Sequence, residues 1–492
     1  MKTKHNNRAL LLFLCVILTG SLISCSETAE NADETAAGNT SLTPVTEETE
    51  TETEADPLSL LEERDLGGLD FTFVGKSAAY GEWEMFEVNA DEPTGEIMND
   101  AVYDRNAAVA ERFGIRVIGY KSGDPVGEFK RAVQAGTGDF GAGLLPVNDS
   151  TNLGRTGFLY DYRTVPEMDL SGVWFDQNAN RSLEFGGKLF FSFGDMNLQN
   201  LDLTWCVMFN KQLVENDMLG DLYALPANDQ WNLDKLFSLS ADTSRDLDGN
   251  GVFNNKDEWG LVTPYNRTML AFMYGCGVDF ITIDAGGFPV YDGLSEKAFD
   301  VYGRVLSFYF EGTNALNVNT LSGQWRESET MFMNNQVLFY VECMQNLARF
   351  RDMEVDFGVL PMPKYTSEQE EYRHMVCDFP AATVLPSDMK DPETAGFVIE
   401  AINAASHRTV RTAYVDKCLM YKYSRDEEST DMVNLILDTM WYELAYIFGL
   451  GNLTSTIGNM AAAGQDNLAS GLKSVEKIMK KDLDKLIGQY GG

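Results

Sequence analysis

The sequence has few histidines and a shortage of basic residues, and each shortage excludes a class of function. Only three histidines occur in 492 residues, and His374 and His407 are the two that follow the N-terminal segment. So little imidazole argues against a Ser-His or Cys-His nucleophile system. Lys and Arg number 38 against 75 Asp and Glu, a formal net charge of −37. A chain this acidic is not expected to bind nucleic acid.

Clustered cysteines and long hydrophobic runs are also missing. The cysteines after the N-terminal segment occur singly, at Cys206, Cys276, Cys343, Cys377 and Cys418. No C-x-x-C pair and no histidine at ligand spacing accompanies them, so neither a zinc site nor a dense disulfide framework is indicated. We expect these cysteines to be small, buried, apolar side chains. The apolar run Ala9–Leu18 is shorter than the roughly 20 residues that a membrane-spanning helix needs.

The N-terminus instead resembles a bacterial lipoprotein signal. Lys2, Lys4 and Arg8 precede the apolar run, which leads into Leu22-Ile23-Ser24-Cys25. This order predicts a signal peptide over residues 1–24 that is cleaved off, and a lipid attached to Cys25. The alternative is an ordinary secreted protein with a disordered N-terminus.

The residues after Cys25 are strongly acidic. Residues 26–56 contain ten acidic side chains and no basic one. Such a segment cannot bury a core, so we expect a disordered acidic tether over 25–65. Together with the lipid on Cys25, it predicts a folded domain held on the outer face of the cell membrane.

An alternation of strand and helix patterns follows the tether. Leu69, Phe71 and Phe73 predict one face of a strand, and a helical stripe ends at Gly114. A strand over Ile115–Tyr120, a helix that ends at Gly136 and a strand over Phe140–Leu145 complete the unit. The order predicts an α/β fold with a mostly parallel sheet, and the remaining chain is long enough for two cores.

Later segments give shorter signals. We expect strands over Leu183–Phe193, Leu203–Phe209, Val337–Tyr340 and Phe357–Leu360. Apolar residues at helical spacing near the C-terminus predict an amphipathic helix packed on the body, with its buried face formed by Leu472, Val475, Met479, Leu483 and Leu486.

Ligands of open α/β sheets bind beyond the carboxyl ends of the strands. This rule places Ser77–Trp83 and Asn148–Asn152 at the predicted binding edge, although Asn148-Asp149 is also a common turn sequence. Gly136-x-Gly138-x-x-Gly141 matches a dinucleotide fingerprint in letters only, because it follows a helix and precedes a strand, the reverse of the required order.

A calcium-binding loop is the clearest metal signal. Residues 246–257 place oxygen ligands at the spacing of a calcium loop, with Gly251 at the sharp turn. The candidate ligands are Asp246, Asp248, Asn250, the carbonyl of Val252, Asn254 and Asp257. Asp257 stands where Glu is usual, and the alternative is a plain Asx/Gly-rich turn. We expect a structural Ca²⁺ with the weak affinity of extracellular modules, about 10⁻⁴–10⁻³ M.

Several motifs resemble the family 1 extracellular solute-binding lipoproteins of ATP-driven (ABC) sugar importers. The matching stretches are Trp174-Phe175-Asp176, Gly186-Gly187-Lys188-Leu189-Phe190, Gly194-Asp195, Phe209-Asn210-Lys211, Trp231-Asn232-Leu233-Asp234, Trp259-Gly260-Leu261 and Phe357-Gly358-Val359-Leu360-Pro361-Met362-Pro363-Lys364-Tyr365. Phe175 stands where a second tryptophan is common, and Gln230-Trp231-Asn232 replaces a usual Gly-Lys-Trp-Thr. These departures concern the ligand more than the fold.

The resemblance implies a two-lobed, periplasmic-binding-protein-like (type II) clamshell with an interlobe cleft. Residues 66–180 plus about 335–395 would form lobe 1, and about 181–334 plus 396–492 would form lobe 2. The implied protein is a monomer without catalytic activity that delivers a solute, most often a sugar, to ABC permease subunits.

Sugars need flat aromatic rings for their C–H faces and paired polar groups for their hydroxyls. By position the candidates are Tyr80, Trp83, Asn148, Asp149, Asp202 and Trp205, and the resemblance adds Glu342 and Trp441. Two other functions stay open. A secreted glycoside hydrolase needs only two suitably spaced carboxylates, and a sensory or adhesive lipoprotein could use the same clamshell.

Overall fold

The computed structural model describes residues 56–77, 87–88, 90–263, 265–293, 295–318, 321–323, 325–420 and 427–490. Its strands, in chain order, are β1 Leu69–Lys76, β2 Ile115–Ser122, β3 Ala142–Pro146, β4 Trp205–Asn210, β5 Trp259–Thr263, β6 Ile281–Ile283, β7 Pro289–Tyr291, β8 Ala315–Asn317, β9 Val337–Cys343, β10 Phe357–Leu360, β11 His374–Met375, β12 Ala381–Val384 and β13 Met440–Trp441. Its α-helices are α1 Ile97–Phe113, α2 Pro125–Ala135, α3 Val147–Arg155, α4 Gln177–Leu183, α5 Gln199–Asp202, α6 Lys211–Asn216, α7 Ala224–Ala227, α8 Leu233–Thr243, α9 Tyr265–Gly275, α10 Glu296–Phe310, α11 Trp325–Met333, α12 Asn346–Phe350, α13 Pro392–Arg408, α14 Val410–Met420, α15 Glu427–Asp438, α16 Leu444–Ile447, α17 Leu453–Ala462 and α18 Leu468–Tyr490.

The first sheet has the strand order β12-β3-β1-β2. Strand β1 pairs in parallel with both β2 and β3, and β12 is antiparallel to β3. Gly114 and Gly136 end α1 and α2 in the left-handed conformation, at φ 64° and 66°, which glycine adopts without a Cβ clash. The predicted strand-helix-strand-helix-strand unit is therefore confirmed.

The second sheet has the strand order β10-β4-β9-β5-β8. Strand β5 is parallel to β8 and β9, whereas β4 is antiparallel to β9 and β10. Strands β9 and β10 thus belong to this sheet, whereas the predicted lobe boundaries assign residues 335–395 to lobe 1, with the first sheet. Conversely, α13 and α14 pack against α1 beside the first sheet, whereas the predicted boundaries assign residues 396–492 to lobe 2. Local patterns predict strands but do not reveal which sheet a returning strand joins.

The strand predicted over Leu183–Phe193 is wrong. Residues up to Leu183 form α4, and the rest makes only isolated bridges, such as Phe185 with Lys188 and Ser192 with Thr383. Gly186 and Gly187 both have positive φ, at 59° and 72°. This pair makes a tight turn that a continuous strand cannot contain.

The folded body begins earlier than the predicted end of the tether at residue 65. Pro57 and Leu58 are buried in a short 3₁₀ turn that packs against α13. Arg64 forms ion pairs with Glu167 and Glu393, and its guanidinium lies 4.7 Å from the ring centre of Phe397. The signal peptide, Cys25 and the tether up to residue 55 lie outside the described residues.

The predicted C-terminal amphipathic helix is confirmed as α18. Its buried stripe contains Leu472, Val475, Met479, Leu483 and Leu486, and it packs against α17. Its last turn reaches α3, where the Arg155 Nε donates a hydrogen bond to Gln489 Oε1 at 3.0 Å. Within the described ranges, no helix is both long enough and apolar enough to cross a membrane.

Candidate functional site

Two segments that run side by side link the two sheets. The first connector, residues 197–204, leads into β4, and the second connector, residues 376–381, leads into β12. The Cys377 N–H donates to Leu203 O at 3.1 Å, and Asn197 Nδ2 donates to Ala381 O at 3.1 Å. A change in the angle between the sheets would therefore alter the backbone of both connectors.

The binding edge of the first sheet pairs a lysine with a carboxylate. Lys76 ends β1, and Asn148 and Asp149 follow β3, as the edge rule predicts, but they lie in the first turn of α3 rather than in a loop. Partial burial lowers the pKa of Lys76 and raises the pKa of Asp149, and the attraction between their opposite charges opposes both shifts. Asn148 and Asp149 still present enough surface to solvent to contact a ligand. Tyr80 and Trp83 lie outside the described residues.

Of the two candidates near the first connector, only Asp202 retains exposed surface. Its Oδ1 accepts a hydrogen bond from the Tyr414 hydroxyl at 2.9 Å. Trp205 is only 2% exposed, and its Nε1–H donates to Cys377 Sγ at 3.4 Å. In this conformation Trp205 is therefore too deeply buried to offer a stacking surface to a ligand.

The second sheet contributes an arginine that the sequence analysis missed. Arg267 lies in α9, directly after β5, with its Nη2 3.4 Å from Asp378 Oδ1 and its guanidinium carbon 5.1 Å from the ring centre of Phe379. Burial lowers the pKa of Arg267, but nearby Tyr446, Cys377 and Asp378 raise it above its ordinary value. The edge rule would have found this position, because β5 runs parallel to β9.

Glu342 lies near Arg267 in the partly buried end of β9. Its Oε1 accepts a hydrogen bond from the Cys343 N–H at 2.9 Å. Burial raises the pKa of Glu342 to about 7, while the Cys343 hydrogen bonds and Arg267 lower it. The carboxyl is thus poised to donate or accept a hydrogen bond near neutral pH.

Trp441 is half-buried in β13, and a cation covers its ring. The guanidinium carbon of Arg373 lies 4.0 Å from the ring centre, a cation–π contact. Arg373 Nη1 is held by both carboxylate oxygens of Asp279, at 2.9 and 3.0 Å. Trp441 Nε1 is buried and has no hydrogen-bond partner within the described residues. This indole N–H is a donor that a ligand oxygen could satisfy.

Two further carboxyls, Glu443 and Glu87, are buried. Glu443 is 2% exposed, and its Oε2 accepts hydrogen bonds from Tyr446 N at 2.8 Å and from the Tyr274 hydroxyl at 3.3 Å. Burial raises the pKa of Glu443 to about 7. Glu87, completely buried near Arg105, has its pKa raised to about 7 by the same cause. Sequence patterns gave no signal for these carboxyls.

The calcium loop brings three of its predicted ligands together. Carboxylate oxygens of Asp246, Asp248 and Asp257 lie within 4.8 Å of one another, a spacing that suits oxygens about 2.3–2.6 Å from one Ca²⁺. Asp246 also accepts hydrogen bonds from the N–H groups of Gly249 and Gly251 at 2.8 and 2.7 Å. The donor set and its geometry therefore fit the ion.

The other predicted calcium ligands take part in hydrogen bonds within the loop. Asn250 Oδ1 accepts from Val252 N at 2.6 Å, and Val252 O accepts from Asn254 Nδ2 at 2.9 Å. The Val252 carbonyl oxygen has a second lone pair that remains available to bind an ion.

A cavity of about 290 Å³ lies beside the first connector, lined in part by Asp176, Asp195 and His407. Asp195 Oδ2 is 2.5 Å from His407 Nδ1. Burial raises the pKa of Asp176 to about 6, and its Oδ2 accepts a hydrogen bond from the Tyr442 hydroxyl at 2.7 Å. His374, by contrast, is fully buried and has its pKa lowered to about 3 by burial, which suits a structural role.

No family model and no curated protein matches the sequence. Solved structures do match its fold. A cyclo/maltodextrin-binding protein in complex with maltotetraose has a TM-score of 0.56 at 16% identity, over 84% of this chain and 97% of its own. An ABC substrate-binding protein from Listeria monocytogenes in complex with cycloalternan has a TM-score of 0.54 at 13% identity, over 84% and 99%. A sugar transporter protein from Rhizobium etli in an open conformation has a TM-score of 0.57 at 11% identity, over 84% and 99%.

The chain therefore has the two-lobed α/β fold of periplasmic-binding-protein-like proteins, with one sheet in each lobe. This confirms the predicted fold class. The resemblance drawn from the sequence motifs agrees with it at the level of the fold.

Proposed function

We propose that this chain is a family 1 solute-binding lipoprotein of an ABC importer. It captures a carbohydrate in the cleft between its lobes and delivers it to membrane permease subunits, acting as a monomer without a catalytic step. The fold carries this proposal, because it matches nearly the whole length of proteins solved with maltotetraose and cycloalternan.

The polar groups of the candidate site support a neutral, hydroxyl-rich ligand. Lys76 with Asp149 and Arg267 with Asp378 place donors beside acceptors of opposite charge. A sugar hydroxyl both donates and accepts, so it can bind between the members of such a pair. The half-buried ring of Phe379 offers an apolar face for the C–H side of a sugar.

Sugar binding is tested by calorimetry with a panel of mono- and oligosaccharides. We expect one sugar class to bind and to be recovered chemically intact. Arg267→Met should weaken its binding at least tenfold, because it removes the guanidinium from the cleft. Arg116→Met, which breaks an exposed ion pair with Asp70 on the first sheet, should leave the affinity unchanged. Equal affinities of the two variants would exclude Arg267 from the site, and no binding by any sugar would redirect the proposal to other solutes.

A glycoside hydrolase is the second candidate, because Asp176 and Asp195 line one cavity and the pKa of Asp176 is raised. A hydrolase would release cleaved sugar during the same titration, and Asp195→Asn would abolish the release. Import itself is measured as uptake of labelled sugar by cells that lack the gene. Normal uptake would favour a sensory or adhesive lipoprotein.

The lipid anchor belongs to the same proposal. With Cys25→Ala, the chain should no longer take up labelled fatty acid and should move from the membrane fraction to the medium. Cys15→Ala, within the apolar part of the signal, is the matched control and should remain anchored. Release of both variants, or of neither, would count against lipidation at Cys25.

A further inference from the structure

Two cysteines meet beside the connectors. Cys343 ends β9, opposite Trp205 in β4, and Cys377 lies in the second connector. Their sulfur atoms are 3.7 Å apart, and each residue is 2% exposed. Two separate segments of the chain thus bring their thiols into van der Waals contact at the junction of the lobes.

The surroundings make the two thiols unequal. The hydrogen bond from Cys343 lowers the pKa of Cys377, burial opposes this, and the nearby Arg267 lowers it further. Trp205 Nε1–H also donates to the Cys377 sulfur. Burial raises the pKa of Cys343. Cys377 is therefore the thiol more readily ionised, and the thiolate is the form that attacks disulfides.

Two further cysteines with described side chains, Cys206 and Cys276, have different contacts. Cys206 Sγ lies 3.5 Å from the Glu342 carbonyl oxygen, and Cys276 Sγ lies 3.8 Å from the Pro363 carbonyl oxygen. Burial raises the pKa of Cys276 to about 12. Both sulfurs contact a carbonyl oxygen, and Cys206 and Cys276 serve as internal controls.

We propose that Cys343 and Cys377 form a disulfide that ties β9 to the second connector. The Cys377 thiolate attacks one sulfur of a low-molecular-weight disulfide, whose S–S bond breaks and whose other half leaves as a thiolate. The Cys343 thiol then loses its proton to water and attacks the Cys377 sulfur, which expels the second half. The two cysteines lose two electrons to the external disulfide, which becomes two thiols. The sulfurs move from 3.7 Å to a bond of about 2.05 Å.

The bond would restrain the hinge between the lobes. The second connector carries the chain from the second sheet to the first, and it pairs with the first connector through Cys377 and Leu203. Fixing it to β9 limits how freely both connectors can change their backbone angles. An extracytoplasmic location, which rests on the proposed function, is a compartment in which disulfides persist. The sulfur geometry itself does not depend on that proposal.

The disulfide is tested by refolding the reduced chain from Ser26 onward in a buffer of oxidised and reduced glutathione. Both thiols are exposed while the chain is unfolded, so their burial in the folded protein does not keep glutathione from reaching them. After free thiols are alkylated, trypsin separates the two cysteines at Arg349 and Arg373, and mass spectrometry should find their peptides joined. The bond closes a separation of 34 residues, so the thermal midpoint should fall by about 3–6 °C when a reductant is added.

Matched serine variants identify the pair. Cys343→Ser and Cys377→Ser should lose the reductant-dependent shift, whereas Cys206→Ser and Cys276→Ser should keep it. The thermal midpoint of each variant is compared with and without reductant, so a change in stability caused by the substitution itself does not affect the comparison. Alkylation of both Cys343 and Cys377 in correctly refolded protein would overturn the proposal, and so would a bond from either to another cysteine. If the serine variants fail to fold, the wild-type peptide map decides alone. No sugar is needed, so failure here is separate from failure of the proposed function.

Discussion

Raising the pH from 5.5 to 8 should destabilise the protein by several kcal/mol. Burial raises the pKa of Glu87, Glu342 and Glu443 from 4.5 to about 7. The unfolded chain releases these protons near pH 4.5, while the folded chain keeps them up to about pH 7. The folded state therefore binds more protons within that window, and stability falls as the pH rises through it. At 1.36 kcal/mol per pKa unit, Glu87 and Glu443 each contribute about 2 kcal/mol between pH 5.5 and 7, and the partly exposed Glu342 contributes less.

One buried group acts in the opposite direction. Burial lowers the pKa of His374 to about 3, so the unfolded chain alone gains this proton below about pH 6.5. Its stabilisation is complete above that pH and is lost as the pH falls, by about 1 kcal/mol at pH 5.5. Between pH 5.5 and 8, the stability lost through the three carboxyls exceeds the stability gained through His374.

Urea unfolding at several pH values measures the balance. Glu443→Gln keeps an acceptor for the Tyr446 N–H but cannot ionise. The slope of the unfolding free energy against pH should therefore decrease by the equivalent of about one proton, and the variant should be more stable than the wild type at pH 8. Glu111→Gln, on the exposed face of α1, is the control and should leave the slope unchanged. Stability that rises with pH between 5.5 and 7 would contradict the burial of these carboxyls.

The sequence predicts the first sheet well because its signals are local. Alternating apolar residues mark β1, and Gly114 and Gly136 end the helices on either side of β2. The failures depend on distant partners. Strand β9 is apolar wherever it pairs, so its pattern could not reveal that it joins β4 and β5 rather than the first sheet.

The same distinction applies to the candidate site. The sequence places Asn148 and Asp149 at the edge of the first sheet, because the position after a parallel strand can be read from local patterns. Arg267 occupies the corresponding position after β5, but that reading requires knowing that β5 has parallel neighbours. Trp205 shows the reverse error. An indole looks the same in sequence whether it faces a ligand or, as here, is buried against Cys377.

The calcium loop combines a local signal with one distant contact. Asp246 and Asp248 lie in the tight turn, and Asp257, which is fully buried, closes the loop from its far end by accepting the Leu247 N–H at 3.0 Å. A buried carboxylate that faces two others is costly unless a cation or several donors compensate it. We propose that a structural Ca²⁺ supplies this compensation.

Chelating calcium should therefore lower the thermal midpoint of the wild-type protein. With about 2 mM Ca²⁺ and a dissociation constant of about 10⁻⁴ M, binding to the folded state alone stabilises it by about 2 kcal/mol, a shift of a few degrees in the midpoint. Asp248→Asn should abolish most of that shift, because it removes an exposed ligand charge without opening the core. Asp242→Asn, an equally exposed carboxylate on α8 just before the loop, removes the same charge and should retain the full shift. Differential scanning fluorimetry with Ca²⁺, with Mg²⁺ and with chelator makes the measurement. The same midpoint in all three would leave the loop an Asx/Gly-rich turn, and equal losses in the two variants would indicate a general charge effect rather than a site.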